Sequence, residues 1–162
     1  MMLSIRHDPN YPRPAKTIVI TGAGQGIGRE VVDAFAQAGA STIHILGRTK
    51  ETLEETTNTV EKSHPGVNVV VHVADIVDEP AVKQAAKEVG SWDVIVANAG
   101  YIPSPDLIEN SDADEWWKTF EVGFYFRFLQ ILQCANARFE RSTSRAVTFS
   151  LVHFFPTRKA AG

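Results

Sequence analysis

Between Thr17 and Gly28 the chain reads TIVITGAGQGIG, a short apolar run that breaks into four glycines. A strand that turns at once into a helix offers unpaired backbone N–H groups and the positive end of the helix to whatever lies above the turn. The natural occupant is a phosphate. The helix dipole supplies only about 0.3 to 1 kcal/mol, rising to about 2 when partly buried, so several N–H bonds must supply the rest. Glycine fits this task. A side chain at Gly22 or Gly26 would block a close approach, and one at Gly28 would hold the helix off the sheet. The spacing is T-G-x-x-x-G-x-G, running from Thr21 and Gly22 through Gly24, Gln25, Gly26 and Ile27 to Gly28. It differs from G-x-G-x-x-G and lacks the Lys-Ser/Thr of an ATPase phosphate loop.

The elements that must hold this turn are legible on either side of it. Thr17 to Thr21 reads as a buried strand. Ile27, Val31, Val32, Phe35 and Ala38 then recur at helical spacing, and Gly39 is placed to end that helix. Thr42 to Leu46 is a second strand, followed by KETLEETTNTVEKS, a polar helix with a thin apolar stripe that stops before His64, Pro65 and Gly66. Val67 to Val73 makes a third strand. Asp78, Glu79 and Pro80 cap and open a helix through Val89, and Asp93 to Ala97 makes a fourth strand. Pro103 and Pro105 mark a loop, and Ser111 with Asp114 predicts a capping-box start to a long apolar helix. Ala146 to Val152 reads as a fifth strand. Residues 1–15, with three prolines and no period, predict a flexible lead, leaving residues 16–162 as one domain.

Strands alternating with helices imply right-handed crossovers and a parallel sheet covered on both faces. The expected layout is a three-layer, doubly wound α/β sandwich of about five strands in the order 3-2-1-4-5. Its ligand site lies at the C-terminal ends of the strands. That places the glycines, Arg48, Asp75 and Asn98 along one rim, whatever motif they belong to.

Composition narrows the function classes. At 162 residues with 44% apolar and 22% charged residues and a net charge of -3, the chain suits a globular domain and shows no basic footprint for nucleic acid. Cys134 is the sole cysteine, which excludes an internal disulfide and leaves no thiolate pair for a metal. His44 and His72 alternate with apolar strand residues without ligand spacing, so they read as satisfied core or edge histidines and no metal site is expected. No stretch approaches the roughly 18 apolar residues of a membrane span, and the N-terminus lacks the apolar core of a signal peptide. The expectation is a cytoplasmic protein with no membrane or nucleic-acid partner.

Thr21-Gly22-Ala23-Gly24-Gln25-Gly26-Ile27-Gly28, then Asp75, then Asn98-Ala99-Gly100 occur in order, and with them the chain resembles the short-chain dehydrogenase/reductase family over roughly residues 16 to 152. The resemblance implies a Rossmann-like fold and binding of a nicotinamide dinucleotide. In that family the glycines hold the pyrophosphate. The aspartate at the end of the third strand, here Asp75 with Ile76 beside it, contacts adenine, and Asn98, Ala99 and Gly100 steady the sheet beside the cofactor.

The end of the second strand selects the cofactor, because a carboxylate there bonds the ribose hydroxyls and repels a 2′-phosphate. Residues 41–49 read STIHILGRT, with Gly47 where the acid would be. Arg48 offers a bidentate cation for phosphate, and the Thr49 hydroxyl is adjacent. NADP(H) is therefore expected over NAD(H).

Reducing a carbonyl by hydride needs an acid for the forming alkoxide, and a positioned acid contributes about 10² to 10⁴ in rate. The family uses a tyrosine activated by a lysine four residues on, with a serine holding the substrate oxygen. Here Tyr11 is followed at that distance by Ala15, Tyr101 by Pro105 and Tyr125 by Leu129. No Y-x-x-x-K is present. Ser150 is a weak match to the serine, with Leu151 where the second of two adjacent serines belongs, and Gly123 replaces a structural asparagine. The family's tyrosine falls at or just past Gly162, so a truncated chain is expected. The readings are an NADP(H)-dependent oxidoreductase acting on a carbonyl or alcohol substrate, or a catalytically inactive dinucleotide-binding remnant or regulatory module.

Other residues read as structure. Trp92, Trp116 and Trp117 suit packing, Tyr101 to Leu107 suits the border of a substrate pocket, and Lys50 to Lys62 suits a solvated face. Phe124, Phe126, Phe128, Leu129, Ile131 and Leu132 make the long helix apolar on nearly every side, which predicts self-association or poor solubility.

Overall fold

Runs of valine and isoleucine with apolar residues at odd and even positions alike suit strands buried on both faces, and that is how they are used. The computed structural model describes residues 16–102, 107–110, 112–122 and 148–149. Five strands, β1 (Thr17–Thr21), β2 (Thr42–Gly47), β3 (Asn68–Val73), β4 (Val94–Val96) and β5 (Thr148–Phe149), form one sheet in the order β3-β2-β1-β4-β5. Among the described residues the strand pairs are all parallel, with Thr17 opposite Thr42, Thr42 opposite Asn68, and Ile18 opposite Val94. Ile95 and Val96 face Thr148 and Phe149. The doubly wound order expected from the sequence is thus present. The expected lead over residues 1–15, the rest of the fifth strand, and the apolar helix from Phe124 to Leu132 lie outside the described residues.

Two helices, α1 (Gly26–Gln37) and α2 (Lys50–Ser63), cover one face of the sheet, while α3 (Glu79–Val89) covers the other. On the first face Ile18, Ile20, Ile43, Ile45 and Val69 pack against Val32 and Ala36 of α1 and Leu53 and Val60 of α2. Full burial of an isoleucine or leucine stabilises by about 1.5 to 3 kcal/mol, so this face is the principal core. On the second face Val19, Leu46 and Ile95 meet Ala85, with Val89 and Trp92 at its margin. His44 and His72 share that face, both buried.

Local signals set most helix ends. Gly39, at φ +86°, follows the Ala38 C-cap and returns its N–H to the Ala36 carbonyl at 3.0 Å. Asp78 caps α3 by accepting from the Ala81 amide at 3.1 Å, with Pro80 in the first turn. The fourth helix, α4 (Ala113–Phe120), starts one residue later than Ser111 suggests. Asp112 is its cap, accepting from the Asp114 and Glu115 amides at 2.7 and 3.1 Å. A carboxylate that meets two amides takes the cap from a neighbouring hydroxyl. Ser111 itself lies outside the described residues.

Two expectations about burial are corrected. Ile27 belongs to the helical repeat of α1 but is 49% exposed, because it sits in the first turn, beyond the end of the strands. Trp116 and Trp117 are not core residues. They are 52% and 58% exposed on a helix with no buried side chain, and their ring neighbour is Phe120. Trp92 does pack against the second face.

Candidate cofactor site

Four parallel strands end on one rim, so the segments that leave them are neighbours however far apart they lie in sequence. After β1 comes the glycine turn, after β2 Arg48 and Thr49, after β3 Asp75 and Ile76, and after β4 Asn98, Ala99 and Gly100. Hydrogen bonds knit the first and last of these together. The Asn98 side-chain amide donates to the carbonyls of Thr21 and Gly22 at 3.1 and 3.2 Å. The Ala99 N–H donates to the buried Thr21 hydroxyl at 3.1 Å. From the other side, the Gly22 and Ala23 amides donate to the Leu46 carbonyl at 2.8 and 3.3 Å.

The glycines answer to different constraints. A Cβ at Gly22 would lie 2.8 Å from the Ala99 Cα, and a Cβ at Gly28 would strike the Gly22 carbonyl oxygen and come within 2.8 Å of the Asn98 amide nitrogen. Both glycines are thus required by the protein's own turn, where the sequence suggested a ligand contact for Gly22 and helix-to-sheet packing for Gly28. Gly24 is closed off by Thr52 of α2. Gly26 is the exception: at φ +54° its Cβ would meet nothing within 4 Å, so the space beside it is open.

That open space fits an anion. Gln25 stands at the N-cap of α1 in extended conformation without a side-chain cap bond, and the first turn carries no acid. Gln25, Gly26 and Ile27 are exposed. The first-turn N–H groups are aimed outward beside a glycine that leaves room for a bulky ligand, which suits a pyrophosphate.

Along the rim, β2 ends at Gly47, whose missing Cβ would sit 3.2 Å from the Leu53 side chain. Arg48 and Thr49 are both exposed, and Thr49 is the N-cap residue of α2. Asp75 is half-buried and accepts from the Val77 amide at 3.2 Å, while Ile76 is buried beneath it. The Ala74 amide is tied to the Gly47 carbonyl at 2.9 Å, which holds these two segments side by side.

Tyr101 follows directly and is half-buried. Its hydroxyl donates to Glu115 at 2.8 Å, and Lys118 lies 4.9 Å from the centre of its ring. The bond to Glu115 pushes the phenol above its ordinary value of 10.0, against a smaller opposing pull from Arg48. Four residues on stands Pro105, so Tyr101 has no lysine at the Tyr-x-x-x-Lys spacing. Ser150 lies outside the described residues.

Sequence reasoning missed two residues that organise the turn. Arg29 donates to the Gly24 carbonyl at 3.3 Å and to the Thr56 hydroxyl at 3.1 Å, and its guanidinium pairs with Glu55 at 3.0 Å. The Thr56 hydroxyl, fully buried, lies 3.2 Å from the Ala23 carbonyl. The only sequence signal was a polar residue on the buried stripe of α2. Among the described residues no group of three or more His, Cys, Asp or Glu side chains could hold a metal, and no helix is long and apolar enough to cross a membrane.

The chain is similar to known proteins over this same region. The family model described as short chain dehydrogenase matches residues 16–151. A short chain dehydrogenase, mpl6, of Monascus purpureus is 31% identical over 142 residues, covering 78% of this chain and 49% of that protein. The 17-beta-hydroxysteroid dehydrogenase 13 of Rattus norvegicus is 35% identical over 141 residues, covering 85% and 46%. L-sorbose reductase from Gluconobacter frateurii, solved with NADPH and L-sorbose, shares the fold with a TM-score of 0.72 at 24% identity, over 83% of this chain and 51% of that one. The chain spans about half the length of the curated relatives it matches. Strand order, the T-G-x-x-x-G-x-G turn bound to Asn98, and the match over residues 16–151 lead to one conclusion: the chain belongs to the short-chain dehydrogenase family.

Proposed function

We propose that the protein binds NADP(H) along the rim of the sheet and serves an oxidoreductase that acts on a small carbonyl or alcohol substrate in the cytoplasm. The observation that carries this reading is the uncapped N-terminus of α1 beside the open space at Gly26. The pyrophosphate would rest on the amides from Gly24 to Gly28, adenine beside Asp75 and Ile76, and the 2′-phosphate near Arg48 and Thr49. When bound, the dinucleotide supplies or accepts a hydride. Asn98, Ala99 and Thr21 hold the turn in shape, and Gly100 carries the chain out over the rim. Membership of a dehydrogenase family supports an oxidoreductase over a binding-only module. The 162 residues contain no Tyr-x-x-x-Lys, so the proposal assigns them cofactor binding and leaves the proton for the alkoxide to a group outside that pattern.

The preference for NADP(H) rests on Arg48 and on the absence of a carboxylate at Gly47. Titrating NADPH and NADH against the purified protein and its Arg48→Ala variant, with cofactor fluorescence as the readout, tests it. Loss of a charge-assisted bond to phosphate weakens NADPH by about tenfold or more and leaves NADH unchanged. Equal losses for both cofactors, or none, remove the preference.

A further inference from the structure

We propose that Arg29 and Thr56 are positioning residues that aim the turn's amides at the cofactor pyrophosphate, acting from the face of the turn away from the ligand. The inference rests on the dinucleotide reading above and assigns a role to two side chains which that reading leaves out.

Across a trans peptide the carbonyl of one residue and the N–H of the next point in opposite directions, and none of the described peptide bonds is cis. Whatever fixes the Gly24 carbonyl therefore also fixes the Gln25 N–H, and whatever fixes the Ala23 carbonyl fixes the Gly24 N–H. Both carbonyls are held by side chains, one from α1 and one from α2. The Arg29 Nη2 lies 3.3 Å from the Gly24 oxygen, and the Thr56 Oγ1 lies 3.2 Å from the Ala23 oxygen. The two N–H groups are accordingly turned toward the rim.

The two side chains work as a unit because of their proton count. A threonine hydroxyl has one proton, and Thr56 has three carbonyls in reach: Thr52 at 2.9 Å, Ala23 at 3.2 Å and Gly24 at 3.4 Å. One proton cannot serve all three fully, so it is shared between the turn and the back-bond within α2. Arg29 resolves part of this competition. Its Nη2 takes over the Gly24 carbonyl, and its Nε donates to the Thr56 oxygen at 3.1 Å, which turns the hydroxyl proton away from Arg29 and toward the carbonyls. Glu55 holds the guanidinium at 3.0 Å, and the planar fork serves all three partners together. A Cβ at Gly24 would meet the Thr52 hydroxyl at 2.5 Å, so α2 lies directly against the turn at this point.

The test compares a ligand that uses the pyrophosphate with one that does not. NADPH and adenosine 2′-monophosphate are titrated against the purified protein, Arg29→Met, Thr56→Val and the double variant. If the bracket aims the amides, each single variant weakens NADPH by about five- to tenfold, adenosine 2′-monophosphate binding stays unchanged, and the double variant is little weaker than the worse single one. Arg29→Lys, which keeps the charge but not the fork, gives an intermediate loss, and Thr56→Ser restores wild-type affinity. The Gly24 and Gln25 amide resonances move in both single variants. NADPH affinity unchanged in both variants overturns the inference, as does equal weakening of the two ligands, which reports general loss of structure. Loss in Arg29→Met alone also overturns it and points to a direct charge contact. A wild-type protein that binds no NADPH removes the dinucleotide reading itself. Should Thr56→Val fail to fold, Thr56→Ala takes its place in the same comparison.

Discussion

His44 and His72 meet ring to ring across β2 and β3, with Nδ1 of His44 2.9 Å from Nε2 of His72, and His72 passes its other ring nitrogen to Glu88 of α3 at 3.2 Å. A hydrogen bond between two imidazoles needs one to donate and the other to accept, so the pair has no arrangement in which both rings carry two protons.

Acid should therefore loosen this face of the sheet. Burial, and then the neighbouring His72, hold His44 below its ordinary 6.5, so the unfolded chain binds a proton there that the folded chain refuses. Stability rises with pH through that window and is lost as pH falls below about 6.5. Glu88 pulls in the same direction at lower pH. The Gln84 amide and then His72 keep its carboxyl below 4.5, and that contribution is lost as the group protonates. Urea midpoints measured at pH 7.5, 6.5 and 5.5 should fall steadily, and His44→Asn should flatten the fall. A wild-type midpoint that is constant or rises toward pH 5.5 contradicts this account.

The glycines of the turn should separate by substitution. Gly28→Ala places a methyl on the Gly22 carbonyl, so it should cost several kcal/mol and abolish cofactor binding. Gly26→Ala meets nothing and carries only the left-handed backbone penalty, about 1 kcal/mol. Chemical denaturation of both variants checks the order. A Gly26 variant less stable than the Gly28 variant would show that the turn is built differently.

Asn98→Ala should weaken the turn without dismantling the sheet. It removes donors to two carbonyls, so a loss of about 1 to 3 kcal/mol is expected, with NADPH affinity falling as Thr21 and Gly22 are released. Asn98→Asp, which replaces the donor by an acceptor facing two carbonyl oxygens, should be worse than alanine. Thermal melts of the two variants decide the order, and an aspartate variant as stable as wild type sinks the assignment.

How much of this was legible in the sequence depended on range. The polar helix was readable to the residue, Lys50 to Ser63, because its thin apolar stripe and its Pro-Gly stop are both local. The order of the sheet followed from strand and helix alternation, and the rim followed from the order. The role of Gly28 was partly legible: its necessity showed, but the atom it must avoid, the Gly22 carbonyl, depends on how the turn closes. The contact between Arg29 and Thr56 was hidden because they are 27 residues apart and meet only when α1 and α2 lie side by side. The pairing of His44 with His72 was hidden for the same reason, since alternation assigns a face but not a neighbour.

Dinucleotide binding at the Gly22 to Gly28 turn is tested most directly by calorimetric titration of NADPH into the purified protein beside its Gly28→Ala variant. Saturable one-to-one binding by the wild type, lost in a variant shown by circular dichroism to keep its secondary structure, is the predicted result. A wild type that takes up no NADPH and no NADH, or a Gly28→Ala variant that binds as well as the wild type, contradicts it.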